Sequence, residues 1–76
     1  MAAEKFRELV DASPFAPFVV HLTDGKHIPV DHPDFVSFSQ TGRIAHIFYG
    51  PDDASFFVDT MLVTALELKN GKHRAE

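Results

Sequence analysis

Phe18-Val19-Val20-His21-Leu22-Thr23-Asp24-Gly25-Lys26-His27-Ile28-Pro29-Val30 decides the fold. Its period is two: Phe18, Val20 and Leu22 share one face, and Val19, His21 and Thr23 share the other, which is the alternation of a half-buried strand. Asp24-Gly25 marks a turn, after which Ile28 and Val30 resume the apolar alternation. Parity selects the loop. A two-residue Asp-Gly loop would pair Leu22 with His27 and Val20 with Pro29, mixing the faces. A three-residue loop, Thr23-Asp24-Gly25, pairs Leu22 with Lys26, Val20 with Ile28 and Phe18 with Val30, and keeps the apolar set together. The sequence therefore predicts a hairpin closed by a type I turn and a G1 bulge, with Gly25 in the left-handed region. Pro29 has no N–H and belongs at a bulge or on an edge.

Upstream, Phe6, Leu9 and Val10 recur at helical spacing, with Glu4 near the positive end of the helix dipole. Pro14 disfavours a helical Ser13, so the helix is expected to stop near Ala12. Pro14-Phe15-Ala16-Pro17 is a stiff extended connector with Phe15 beneath it. Downstream, Asp31-His32-Pro33-Asp34 breaks the chain, and Phe35 to Ser39 reads as a third strand. Gln40-Thr41-Gly42 is a second hairpin loop, and Arg43 to Tyr49 is a strand apolar on both faces. Gly50-Pro51-Asp52-Asp53 is a solvated turn, Ser55 to Val58 a fifth strand, and Leu62 to Leu68 a last strand after an interruption at Asp59-Thr60.

The chain's 76 residues make one domain. The expected fold is mainly β (α+β): an N-terminal helix capping a small, strongly bent, five-stranded antiparallel barrel, Sm-like or SH3-like. The domain is expected to span 1–68, with 69–76 a polar, frayed tail. The expected core is Phe6, Leu9, Val10, Phe15, Phe18, Val20, Leu22, Ile28, Val30, Phe38, Ile44, Phe48 and Leu66.

Two resemblances arise from these residues. Phe6 and Leu9, then Pro14-Phe15-Ala16-Pro17-Phe18, Leu22-Thr23-Asp24-Gly25-Lys26 and Val30-Asp31-His32-Pro33-Asp34-Phe35 together resemble a family of short bacterial proteins of unknown function. That resemblance implies a bacterial protein and brings no activity with it. Val20-His21-Leu22-Thr23-Asp24-Gly25 resembles the first motif of Sm-like proteins, Hfq-type barrels included, and Val58-Asp59-Thr60-Met61-Leu62-Val63 sits where the second motif would fall. The resemblance implies a bent barrel that assembles in rings and binds RNA. The chain departs from it where bacterial members carry a Lys-His pair, having Asp59-Thr60 instead.

Composition narrows the chemistry. The chain has no Cys, hence no disulfide, no thiolate metal site and no thiol nucleophile. No apolar stretch is long enough to span a membrane, and the start lacks the apolar core of a signal peptide, so no membrane partner and a cytoplasmic location are expected. No Gly-rich phosphate cradle and no nucleophile elbow occur, so no cofactor and no catalytic residue are expected. His21 and His27 face each other in the hairpin register and are metal candidates, with Asp31, His32 or a second chain to complete a shell. His32 and Asp34 are the one acid–base pair in reach, set against a plain turn. Asp52, Asp53 and Asp59 lack calcium-loop spacing.

Outside residues 69–76 the chain has four basic and ten acidic residues, a net charge of −6. That balance disfavours RNA, since phosphate binding draws on Lys and Arg. Surplus apolar surface points instead to self-association or to another protein, through Ala45, Ile47 and Tyr49 on one strand and Phe56 and Phe57 on the next.

Overall fold

The computed structural model describes residues 2–50 and 54–69. The chain runs as α1 (Ala2–Asp11), β1 (Phe18–Leu22), β2 (His27–Val30), a 3-10 turn (Pro33–Phe35), β3 (Val36–Phe38), β4 (Ile44–Phe48), β5 (Ser55–Asp59), a second 3-10 turn (Thr60–Leu62) and β6 (Val63–Leu68). The strands form two three-stranded sheets, ordered β2-β1-β6 and β3-β4-β5, in which every pairing is antiparallel. The architecture is mixed α+β and mostly strand.

The expected five-stranded closed barrel is corrected accordingly to six strands in two sheets. The break lies between β2 and β3. Pro33 has no N–H to give a ladder, and the His32 ring caps the turn by accepting the Asp34 N–H on Nδ1 at 3.1 Å. The path leaves the first sheet there and re-enters the second as β3.

The hairpin follows the parity argument. Phe18 pairs with Val30, Val20 with Ile28 and His21 with His27. Leu22 N–H donates to Lys26 C=O at 2.9 Å, Gly25 N–H donates to Leu22 C=O at 3.0 Å, and Gly25 has φ +88°. The 22/26 bond fixes the alternation of the ladder, so Val19 and Pro29 form a non-hydrogen-bonded pair. Pro29's missing N–H therefore faces the open edge of β2.

Phe6 of α1 packs edge-to-face on Phe18 of β1, with ring centroids 5.8 Å apart, and on Phe38 of β3 at 5.0 Å. Around it lie Val10, Val20, Ile28, Val30, Val36, Ala45, Ile47 and Val58, with Leu9, Phe15, Leu22, Phe38, Phe56, Val63 and Leu66 packed against them. Two expected core residues are corrected: Ile44 is 38% and Phe48 43% exposed, while Ala45 and Ile47 take the buried face of β4. Alternation defines the two faces of β4, but its neighbours decide which face is inner. Val36 and Phe38 on one side and Phe56 and Val58 on the other line up with Ala45 and Ile47, whereas Ser37, Ser55 and Asp59 line up with the outer row.

The tail is tied down at its first residue: Lys69 N–H donates to Pro17 C=O at 3.0 Å, and its ammonium reaches Asp31 at 2.9 Å. Residues 70–76 of the expected frayed tail lie outside the described residues.

Two stability changes follow. Phe18 is fully buried, so Phe18→Ala costs ~3–5 kcal/mol of unfolding free energy. Gly25 has open space around it, so Gly25→Ala meets no clash and acts only through its positive φ, costing about 1–2 kcal/mol. Urea unfolding of each variant checks both, and an unchanged midpoint for Gly25→Ala rejects the left-handed loop.

Candidate functional site

The outer face of the β3-β4-β5 sheet holds the largest exposed apolar side chains on adjacent strands. The bonds from Tyr49 N–H to Ala54 C=O and from Thr60 N–H to Arg43 C=O, each 2.8 Å, bracket the β4–β5 ladder. Hydrogen-bonded and non-hydrogen-bonded pairs alternate between those brackets. His46 and Phe57 consequently face each other in a non-hydrogen-bonded pair, where side chains sit closest. Their rings stack at 4.2 Å with planes 12° apart, and Phe48 leans on the same imidazole at 4.6 Å. His46 Nε2 is buried and has no hydrogen-bond partner among the described residues. Phe57 itself is 75% exposed. Ile44 continues the row, and Met61 and Leu62, both exposed, follow β5 in the chain.

One end of this face is fixed by a small polar junction. Arg43 forks onto Asp59, its Nε donating to Oδ1 at 2.8 Å and its Nη2 to Oδ2 at 3.1 Å. Asp59 also accepts the Met61 N–H at 2.9 Å and so caps the second 3-10 turn. The Arg43 hydrogen bond, helped by the Met61 N–H, holds the Asp59 carboxyl below the ordinary carboxylate range. Next to it, Thr60 is buried and its hydroxyl is shared between Gly42 C=O at 2.9 Å and Arg43 C=O at 3.0 Å. A shallow depression beside this junction is lined by Ala3, Thr41, Gly42, Arg43, Thr60 and Met61. Its one ionisable group, Arg43, is already paired with Asp59.

The interaction residues expected from sequence divide. Ala45 and Ile47 lie in the core and are unavailable to a partner. Tyr49 is 44% exposed, 6.2 Å from the half-buried Phe56 ring, and Phe57 is fully presented. Ile44, His46 and Phe48 replace the two buried residues on the outer face. The signal for this lay in parity across three strands: Ser37, His46 and Phe57 share one row.

The histidines meet as expected, but the shell does not close. The His21 and His27 rings lie 5.9 Å apart on the outer face of the other sheet. His21 Nε2 is 2.9 Å from Glu67 Oε1. A carboxylate only accepts, so His21 carries its proton on Nε2. Glu67 escaped the sequence reading because β6 sits beside β1 only once the sheet is formed. Asp31 is engaged by Lys69 and His32 by the Asp34 N–H, so neither joins the pair. Among the described residues no three His, Cys, Asp or Glu side chains converge on a metal position. His32 and Asp34 form the turn rather than an acid–base pair: the carboxylate is 3.7 Å from the ring nitrogen that already accepts a backbone N–H. Asp52 and Asp53 lie outside the described residues, and Asp59 is held by Arg43.

Among the described residues no helix is long and apolar enough to cross a membrane. Comparison with family models, with curated proteins and with solved structures finds no match.

The junction titrates in one direction. A carboxyl whose folded pKa lies below its unfolded value stabilises the fold at neutral pH, and that contribution is lost as pH falls from about 4 through the depressed folded value. Asp59→Asn therefore flattens the acid limb of a urea-midpoint-against-pH curve and lowers the midpoint at pH 7. An acid limb that matches wild type would exclude the Arg43–Asp59 pair as its source.

Proposed function

We propose that this protein is a non-enzymatic self-assembly or protein-interaction module that docks through the outer face of the β3-β4-β5 sheet. The observation that carries the reading is Phe57, three-quarters exposed on an end strand and stacked on an imidazole whose Nε2 is buried and unpaired. An aromatic held rigid by a neighbouring ring enters an interface having already lost much of its rotamer freedom, which is what makes aromatic anchors effective. Ile44 and Phe48 extend the surface and Ser37, Ser55 and Arg43 rim it, an apolar centre with polar borders.

The finer fold reading supports association as well. Because β2 passes into β3 through one 3-10 turn, the strands follow the path β6-β1-β2, then β3-β4-β5. That order supports reading the fold as a bent Sm-like or SH3-like barrel opened at one corner. The competing reading is an Sm-like RNA-binding protein. Two features count against it: the acidic body and the Asp59-Thr60 junction, where Arg43 is drawn onto a carboxylate instead of facing a phosphate.

Light scattering as a function of concentration, paired with a fluorescence titration against single-stranded RNA, separates the two. Mass is expected to rise with concentration in wild type and to stay monomeric for Phe57→Lys, with no RNA binding at physiological salt. Micromolar RNA binding with a steep salt slope reverses the ranking. A mass that remains monomeric up to the solubility limit, with no RNA bound, removes both readings.

A further inference from the structure

The β3-β4-β5 sheet ends at β5, and the ladder bracketed above fixes which of its backbone groups are used. Ala54, Phe56, Val58 and Thr60 occupy the hydrogen-bonded positions toward β4. By alternation, the N–H and C=O groups of Ser55, Phe57 and Asp59 point away from β4 into the open edge. The side chains of the same three residues stand on the outer face, with Phe57 between two polar neighbours.

The four sheet edges are unequal. Edges left flat and apolar invite another strand, and proteins blunt them with proline, charge or shortness. β2 carries Pro29 and has Lys26 at its start, β3 has only three residues, and β6 carries Glu67 and runs into Lys69. β5 reads Ser55-Phe56-Phe57-Val58-Asp59, with no proline and no charge before its last residue.

We infer that β5 is a self-complementary edge, and that a second copy of this chain pairs with it antiparallel across a two-fold axis at Phe57. The inference rests on the self-assembly reading and places the contact between copies along the β5 edge that borders the outer face. An isologous strand pair must place outward-facing backbone groups against their equivalents, so only registers centred on residues 56, 57 or 58 match hydrogen bonds and side-chain faces together. Centring on Phe56 sets Phe57 against Ser55, and centring on Val58 sets it against Asp59. Centring on Phe57 sets Phe57 against Phe57, Phe56 against Val58, and Ser55 against Asp59. Every apolar residue then meets an apolar one. Each Ser55 hydroxyl lies opposite a carboxylate that already accepts from Arg43 and Met61 and keeps lone-pair capacity for another donor. The two sheets become one continuous sheet, and the His46–Phe57 stacks of both copies meet at its centre.

Sedimentation velocity of the full chain over a concentration series, for wild type, Ser55→Asp and Ser55→Lys, tests this. Position 55 is exposed, and its backbone bonds do not serve the β4 ladder, so neither change should unfold the chain. Symmetry introduces each change twice. Ser55→Asp sets like charges opposite each other in two places and is expected to weaken dimerisation by about tenfold or more, whereas Ser55→Lys sets opposite charges there and tightens it. In amide exchange, the Phe57 N–H is expected to gain protection as concentration rises, while those of Phe56 and Val58 are protected throughout. If wild type associates but the two Ser55 variants match it and the Phe57 amide stays fast, edge pairing is overturned and assembly through the sheet face stands. If wild type does not associate at any concentration, the assembly reading itself fails, and the register with it.

Discussion

Phe6 is the contact on which the rest of this structure depends. Its ring stands edge-on to Phe18 in the first sheet and to Phe38 in the second, so one side chain of the helix touches both. A ten-residue helix is marginal alone in water, and two three-stranded sheets each leave an inner face to cover. The three-ring contact meets both needs, and each aromatic pair adds about 0.5–1.5 kcal/mol beyond its buried area. The connector between helix and β1 is correspondingly stiff, with Phe15 leaning on Phe18 at 6.0 Å. Arg7 lies over the Phe38 ring at 4.7 Å and closes the cluster from the solvent side.

The same arrangement leaves a surplus. The helix lies over the inner faces, and β4 is apolar on both. Ala45 and Ile47 are buried, whereas Ile44, His46 and Phe48 face away from the helix beside Phe57. Packing the Phe48 and Phe57 rings against His46 lowers their exposure without removing it. The Arg43–Asp59 fork and the buried Thr60 hydroxyl meanwhile hold the end of β5 against β4. The exposed row is thus carried on a sheet with a fixed corner, a rigid support of the kind that lets a surface bind without first having to order itself.

Local rules made much of this legible in the sequence. The loop length, the pairing of Val20 with Ile28, the facing of His21 and His27 and the stop of the helix before Pro14 all rest on parity or on the properties of one residue. The failures share a different origin. Which face of β4 is inner depends on strands paired to it from up to 15 residues away, and within β4 only His46 distinguishes the two otherwise apolar faces. Glu67 reaches His21 and Lys69 reaches Asp31 only because β6 returns beside β1. The division into two sheets depends on Pro33 and the His32 cap interrupting a path that reads, residue by residue, as a bend.

The cations bear on how well the surface could suit a nucleic acid. Each basic side chain among the described residues has a partner. Lys5 is 3.2 Å from Glu8, Arg43 forks onto Asp59, and Lys69 is 2.9 Å from Asp31. Arg7 stands over Phe38, and Lys26 lies 5.7 Å from the centre of the Phe56 ring. Exposed ion pairs are weak, with a median of about 0–1 kcal/mol, so a phosphate could compete for any one of them. For Lys5, Arg43 and Lys69, however, the exchange would release a carboxylate next to the incoming phosphate, in a body that already carries more acids than bases. Counterion release rewards a ligand that neutralises phosphates without uncovering new negative charge, and among the described residues only Arg7 and Lys26, each over a ring, are cations of that kind. Phe57 on the end strand β5 adds no negative charge of its own: it exposes a ring face, beside backbone N–H groups that the β4 ladder leaves unused.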